Sequence, residues 1–160
     1  MVSKKAIILI AVVAVIAVGG FLAFGAAVSE DNARYNYELK FIDSYQDAYV
    51  ESITHEAPEG KKFLILEGVV ANDKVSDGFY NNPLNVEWAV ELPDHTSLTY
   101  ANDKSTYARS DLVLVNEGGK APMVYCWEVD AGLSLDDLKV TIDYDGGKIV
   151  NFAYDDTLTL

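Results

Sequence analysis

KKFLILEGVVAND, residues 61–73, is the stretch on which the fold turns. A strand with one wet face alternates apolar and polar residues, whereas a strand covered on both sides does not. From Phe63 to Val70 this segment is apolar on both faces, so it is expected at the centre of a sheet rather than at its edge.

The flanking segments alternate. In RYNYELKF (34–41), Tyr35, Tyr37, Leu39 and Phe41 fall on one face and Arg34, Asn36, Glu38 and Lys40 on the other. VEWAVEL (86–92) does the same, with Val86, Trp88, Val90 and Leu92 against Glu87 and Glu91. PDHTS (93–97) then reads as a turn, in which Pro93 fixes φ and Asp94 suits a polar turn position, and Leu98 and Tyr100 fall on the return strand. DLVLV (111–115) is a short strand closed by NEGG, and PMVYCWEV (122–129) places Met123, Tyr125, Trp127 and Val129 on one face. LKVTIDY (138–144) points Leu138, Val140, Ile142 and Tyr144 inward, and DGG at 145–147 predicts a hairpin into KIVNFAY (148–154). SLDD (134–137) has the spacing of a small capping box and predicts a single helical turn. Seven or eight strands with no long amphipathic helix define an all-β, two-sheet antiparallel sandwich.

Ahead of these strands lies KKAIILIAVVAVIAVGGFLAFGAAVSEDN, in which Ala6 to Val28 carry no charge. As a helix these 23 residues span about 35 Å, slightly more than the ~30 Å hydrocarbon layer. Lys4 and Lys5 before it, with Glu30 and Asp31 after it, predict a single-pass anchor with a cytoplasmic N-terminus and an extracytoplasmic C-terminal domain. Two other readings share the pattern. Gly25, Ala26 and Ala27 could serve a signal peptidase, giving a secreted domain. KKAII also resembles a site cut by prepilin peptidases after Ala6, which would make the helix the spine of a pilin-like subunit that polymerises. The expected organisation is therefore a membrane or signal segment (1–28), a short linker (29–34) and a sandwich domain (35–160).

All 25 acidic residues lie at or after Glu30, so the part beyond Val28 sets 25 acids against 10 bases, a net of −15. Such a field repels phosphate backbones, which argues against nucleic acid as a partner. The single cysteine, Cys126, rules out an intrachain disulfide, lies far from the N-terminus where a lipoprotein signal needs one, and is expected to be buried. Catalytic groups are sparse: His95 sits in the PDHTS turn and is expected to be solvated, and His55 in SITHEAPEG has no nucleophile motif beside it. No catalytic, cofactor-binding or metal-binding residue is assigned, and no small-molecule substrate is identified. The densest acidic groups are Asp136/Asp137, Asp143/Asp145 and Asp155/Asp156; DYDGGK (143–148) lacks the spaced ligands and terminal glutamate of an EF-hand and reads as a hairpin turn, so no cofactor is expected, with a weak surface calcium site as the alternative. Three tyrosines form the candidate binding surface: Tyr80, Tyr100 and Tyr107, in or near the amide- and acid-rich segments SDGFYNNP and YANDKSTYARSD. Tyr35, Tyr37, Tyr125 and Tyr144 read instead as core or strand-face residues.

The order of these motifs resembles a family of exported Ig-like domains of unknown function. The family occurs on bacterial and archaeal lipoproteins and membrane-anchored proteins, and is related in fold to a mycobacterial immunoprotective extracellular antigen. EGKKFLILEGVVAND (59–73) is similar to its gkkfvvvdvtvkN segment, with the strand ending at Asn72. PLNVEWAVELPDHTSLTY (83–100) resembles its next hairpin, and LVNEGGKAPMVYCWEVDAGLSLDDLKVTIDY (114–144) its later strands with the Trp127–Glu128–Val129 triplet. The resemblance covers about residues 35–154; an apolar segment stands in place of a lipidated cysteine, and the insert at 73–85 is longer. It implies an Ig-like β-sandwich of seven or eight strands, carries no catalytic residues to transfer, and leaves an unknown extracellular protein or glycan as the expected partner beside the membrane at residues 6–28.

The anchor reading predicts that the chain recovered from membranes has its full-length mass, with or without the initiator Met. A mass beginning near Ala26 to Val28 in the medium would make the stretch a cleaved signal. A mass beginning at Ile7 would make it a pilin-type helix.

Overall fold

The twelve strands among the described residues begin with β1 (Ala33–Ile42), β2 (Ser44–Gln46), β3 (Thr54–Glu56), β4 (Lys61–Asn72), β5 (Phe79–Asn81) and β6 (Val86–Glu91). They continue with β7 (Ser97–Thr99), β8 (Tyr107–Arg109), β9 (Val113–Val115), β10 (Lys120–Asp130), β11 (Lys139–Tyr144) and β12 (Phe152–Tyr154). A helical turn, α1 (Tyr100–Asp103), follows β7, and a 3₁₀ turn covers Leu135–Asp137. The computed structural model describes residues 30–47, 52–103, 107–109 and 112–160; the apolar stretch 6–28 lies outside the described residues, as do the side chains of 107–109.

β4 sits where its two-sided apolar pattern places it, in the middle of a five-stranded sheet ordered β12-β1-β4-β10-β8. It pairs antiparallel with β1 along ten residues and with β10 along eleven. A second sheet, β11-β6-β7, lies across from it, and two short ladders, β2-β3 and β5-β9, complete the pairing. The two large sheets share one core: Leu64, Leu66, Val70, Met123, Tyr125 and Trp127 from the first pack with Val86, Trp88, Val90, Val140 and Tyr144 from the second. This is a β-sandwich.

Gly68 fixes how closely the sheets approach. It lies mid-strand in β4, facing Trp88 of the opposite sheet, where a Cβ would stand 2.8 Å from Trp88 Cη2 and 2.7 Å from Met123 Sδ. A glycine inside a strand gives up packing surface and conformational entropy, and it is found where another group must come close. Trp88 fills that notch at 1% exposure, and Tyr35 meets its ring edge-on at 5.7 Å.

The other face of β4 is covered too. Phe63, Ile65 and Cys126 form a second buried cluster, against which Ile42, Tyr45 and Ala57 pack, the last two from or beside the β2-β3 hairpin. Tyr45 meets the Phe63 ring edge-on at 4.9 Å. Further along the same face, Val69 and Ala71 are buried where the C-terminal tail passes. The tail is held by Asn36 Nδ2 donating to the Leu158 carbonyl at 2.7 Å and Lys120 Nζ to the Thr159 carbonyl at 3.5 Å. Arg34 closes it, its guanidinium gripping both oxygens of Asp73 (2.7 and 2.8 Å) and one of Asp155 (2.5 Å).

Asn72 ends β4 as a buried polar joint. Its side chain donates to the Val75 and Val115 carbonyls, both at 2.9 Å, and accepts from the Val75 amide at 2.8 Å. Its own carbonyl accepts from Gly118, which the tight turn requires at φ 77°. Every polar atom of the amide's working set is satisfied, so its burial carries no desolvation deficit.

Four expectations are corrected. The strand count is twelve, because seven strands of three residues are too short to register as a period in sequence. The DGG segment does not fold β12 back on β11: β12 crosses to the other sheet and pairs parallel with β1, Ala33 opposite Phe152 and Tyr35 opposite Tyr154. The amide of Asp145 still bonds to the Asn85 carbonyl, and Asn32 then takes the Asn151 amide and the Ile149 carbonyl, so the chain is handed across the core instead of turning back. Ser134 occupies the cap position of the 3₁₀ turn but makes no side-chain capping hydrogen bond, so the capping box does not form. Leu98 lies on the return strand as expected, while Tyr100 begins α1.

Two predictions follow from this packing. Gly68→Ala should destabilise the fold by about 1–3 kcal/mol in urea unfolding, since neither β4 nor the indole has room to yield; a change within error would show that the notch does not set the sheet spacing. The Asp155 carboxyl is held down to about 2 from its usual 3.8, by hydrogen bonds from Thr157 and then from Arg34. A depressed carboxylate contributes stability that is complete above about pH 4 and is lost as pH falls through about 2. Hydrogen exchange of the tail amides should therefore rise across that window, and Asp155→Asn should flatten the rise; a tail that opens identically in both would assign the acid response to other carboxylates.

Candidate binding surface

Two loop-bearing regions converge at one end of the β6-β7 sheet. In the first, the β5-β9 ladder turns Phe79 and Val115 into the core and leaves their neighbours outside. Asn81, also buried, fastens β5 to β10 by donating to the Pro122 carbonyl at 3.3 Å. Tyr80 and Leu114 are directly opposite one another in the ladder and remain 48% and 40% exposed.

The chain after β5 then makes a tight turn. The Asn82 carbonyl accepts from the Asn85 and Val86 amides, and its side-chain oxygen accepts from the Leu84 amide at 2.9 Å. Asn82 Nδ2 also donates to Asn85 Oδ1. These bonds satisfy the backbone internally and push Leu84 into solvent at 74% exposure. The second region starts at Thr99, which is buried and whose Oγ1 accepts from the Asn102 amide at 3.0 Å, capping α1. Tyr100 at the head of α1 is half-buried, with its ring 6.4 Å from that of Tyr125. Leu112, 72% exposed, follows the second loop.

Asn82, Pro83, Leu84, Asn85, Tyr100 and Leu112 line one open depression of about 460 Å³. SDGFYNNP and the segment that opens at Tyr100 are thus brought together. Of the three tyrosines singled out in sequence, Tyr100 lines the depression and Tyr80 stands on the neighbouring ladder. Tyr107 lies in β8, whose backbone pairs with Cys126 of β10. The exposed leucines Leu84, Leu112 and Leu114 were missed. Their signal was present: Leu84 sits among amides outside any strand period, and in DLVLV the ladder has room to bury only Val115 and leaves Leu112, Val113 and Leu114 exposed.

The remaining candidates have structural partners. His55 stacks on Tyr45 at 4.8 Å and its Nε2 meets Asp47 at 3.0 Å across the β2-β3 hairpin. His95 sits on the exposed hairpin turn at φ 68°, its Nδ1 3.0 Å from Glu91, while the Asp94 carboxyl is drawn down by hydrogen bonds from Thr96. Asp143 caps the Tyr144 amide and Asp155 serves Arg34 and Thr157. Among the described residues no three His, Cys, Asp or Glu side chains are grouped so as to hold a metal ion. Tyr125 and Tyr144 are buried, and Tyr35 and Tyr37 are half-buried with their phenols pushed up by burial. With Tyr154 they form an aromatic cluster at the β1-β12 edge, with centroids 5.6 to 6.3 Å apart.

No protein-family model matches the chain, and no curated protein matches it. Among solved structures it is similar to an uncharacterized beta-sandwich protein from Clostridium difficile 630, at 11% identity over 79% of this chain and 87% of that one, with a TM-score of 0.43. That likeness carries nothing about a ligand; the β-sandwich rests on the strand pairings above.

Proposed function

We propose that the chain is a non-catalytic, membrane-anchored, extracytoplasmic Ig-like module that binds an envelope or extracellular protein through the depression between Asn82–Asn85, Tyr100 and Leu112. The observation that carries this reading is the exposure of Leu84 and Leu112 on its rim, with the Tyr80–Leu114 pair alongside. Apolar side chains held outward by hydrogen-bonded turns, and rimmed by amides, are what a protein interface uses at its centre. The depression is open, and among the described residues the phenol of Tyr100 is its one titratable group, which suits contact rather than proton transfer. The positions of His55 and His95, each tied to a neighbouring carboxylate on a hairpin, fit the same reading. A glycan is the second reading, favoured by Tyr100 lying beside Asn82 and Asn85.

Co-sedimentation of the detergent-solubilised full-length chain with cell-envelope preparations tests this. Leu84→Asp combined with Leu112→Asp should lower the bound fraction by about tenfold, whereas Ile149→Asp, at an equally exposed position elsewhere, should leave it unchanged. Binding that survives the double substitution would place the site elsewhere. Loss of binding after protease treatment of the envelopes would favour a protein partner, and retention a glycan.

A further inference from the structure

β1 is longer than the strand beside it. β12 pairs with β1 only from Ala33 to Tyr35, and the last bond between them runs from the Asp155 amide to the Tyr35 carbonyl at 2.9 Å. β1 itself continues to Ile42, paired with β4 on its other side throughout. Backbone groups alternate in direction along a strand, so Tyr37, Leu39 and Phe41 direct their amides and carbonyls to the side that β12 has left. Asn36 Oδ1 accepts from the Tyr37 amide at 2.8 Å. Beyond that cap, among the described residues, no strand lies against the edge from Tyr37 to Phe41.

The outer side chains of this edge are ordered. Glu38 and Lys40 flank Leu39 on the same face of the sheet, Glu38 exposed and Lys40 joined to Glu67 at 2.6 Å. We infer that β1 pairs edge to edge with β1 of a second copy of this chain, antiparallel and centred on Leu39. In that register Leu39 faces Leu39 and Tyr37 faces Phe41; with each Tyr37 amide held by its Asn36 side chain, about four main-chain hydrogen bonds form. Glu38 of each copy then stands opposite Lys40 of the other, in the closely spaced pairs where cross-strand charges act most strongly. Shifting the centre by one residue either way sets Glu38 against Glu38 or Lys40 against Lys40, so the charges select one register. β1 carries Arg34, Glu38 and Lys40, a net of +1, in a chain of net −13, so this edge lacks the acidic excess of the chain as a whole. The pairing does not involve the Tyr100 depression and stands apart from the binding reading above.

Sedimentation equilibrium of the full-length chain in density-matched detergent, across a concentration series, reads the association. The expected result is a reversible dimer for the unaltered chain. Glu38→Lys, which sets lysine against Lys40 while sparing the Lys40–Glu67 pair, should weaken it by about tenfold. Glu38→Lys combined with Lys40→Glu reverses both charges and should recover the dimer, which also separates the effect from any loss of folding. A chain that stays monomeric would overturn the proposal. So would a dimer indifferent to Glu38→Lys, which would point to the apolar stretch 6–28 or the leucine surface instead, or a charge reversal that fails to restore pairing.

Discussion

The contact between Trp88 and the bare backbone of Gly68 governs the sandwich. The largest side chain of the second sheet has to be housed within the spacing of two packed sheets, and the missing Cβ of Gly68 supplies the space. Tyr35 and Met123 then close round the indole, so that β1, β4 and β10 are all registered to one residue of β6. The strand pairings on either side of Trp88, with Ile142 on β11 and across to β7, carry that register through the smaller sheet. A change in the notch is felt by both sheets because close-packed interiors have little slack to absorb it.

How much of this could be read from the chain depends on the range over which each feature is encoded. The central place of 61–73, the inward faces of 34–41, 86–92, 122–129 and 138–144, and the burial of Cys126 are local properties of apolar periodicity, and all were legible. The three-residue ladders were not, since three residues cannot show a period. Nor was the crossing of β12: Asp145, Gly146 and Gly147 are compatible with a hairpin, and only the distant Asn32 and Ala33 make the other sheet the better partner. Asn72 was visible as the end of a strand, but its three side-chain bonds reach across a loop and to β9, which no local pattern contains.

The candidate surface was half legible for the same reason. Tyrosines among amides mark segments that do not belong to the core, and the fold places Tyr100 in the depression and Tyr80 on the ladder beside it. The leucines were harder, because a leucine in a sequence reads as core until the structure shows which face of a short ladder it occupies. Leu114 and Val115 are adjacent in one strand, yet only Val115 is buried, with Phe79 as its partner.

The parallel pairing of the first and last strands has a mechanical consequence. Ala33 enters β1 and Tyr154 leaves β12 at opposite ends of the same ladder, with bonds from the Ala33 amide to the Asn151 carbonyl and from the Asp155 amide to the Tyr35 carbonyl. Tension applied between the two termini would slide these strands past one another along their length. Every bond of the ladder, together with the Arg34 grip on Asp155, would bear the load at once rather than peel in sequence. A domain tethered at its N-terminus and pulled from its far end is thereby loaded in shear, the direction in which a short ladder resists most.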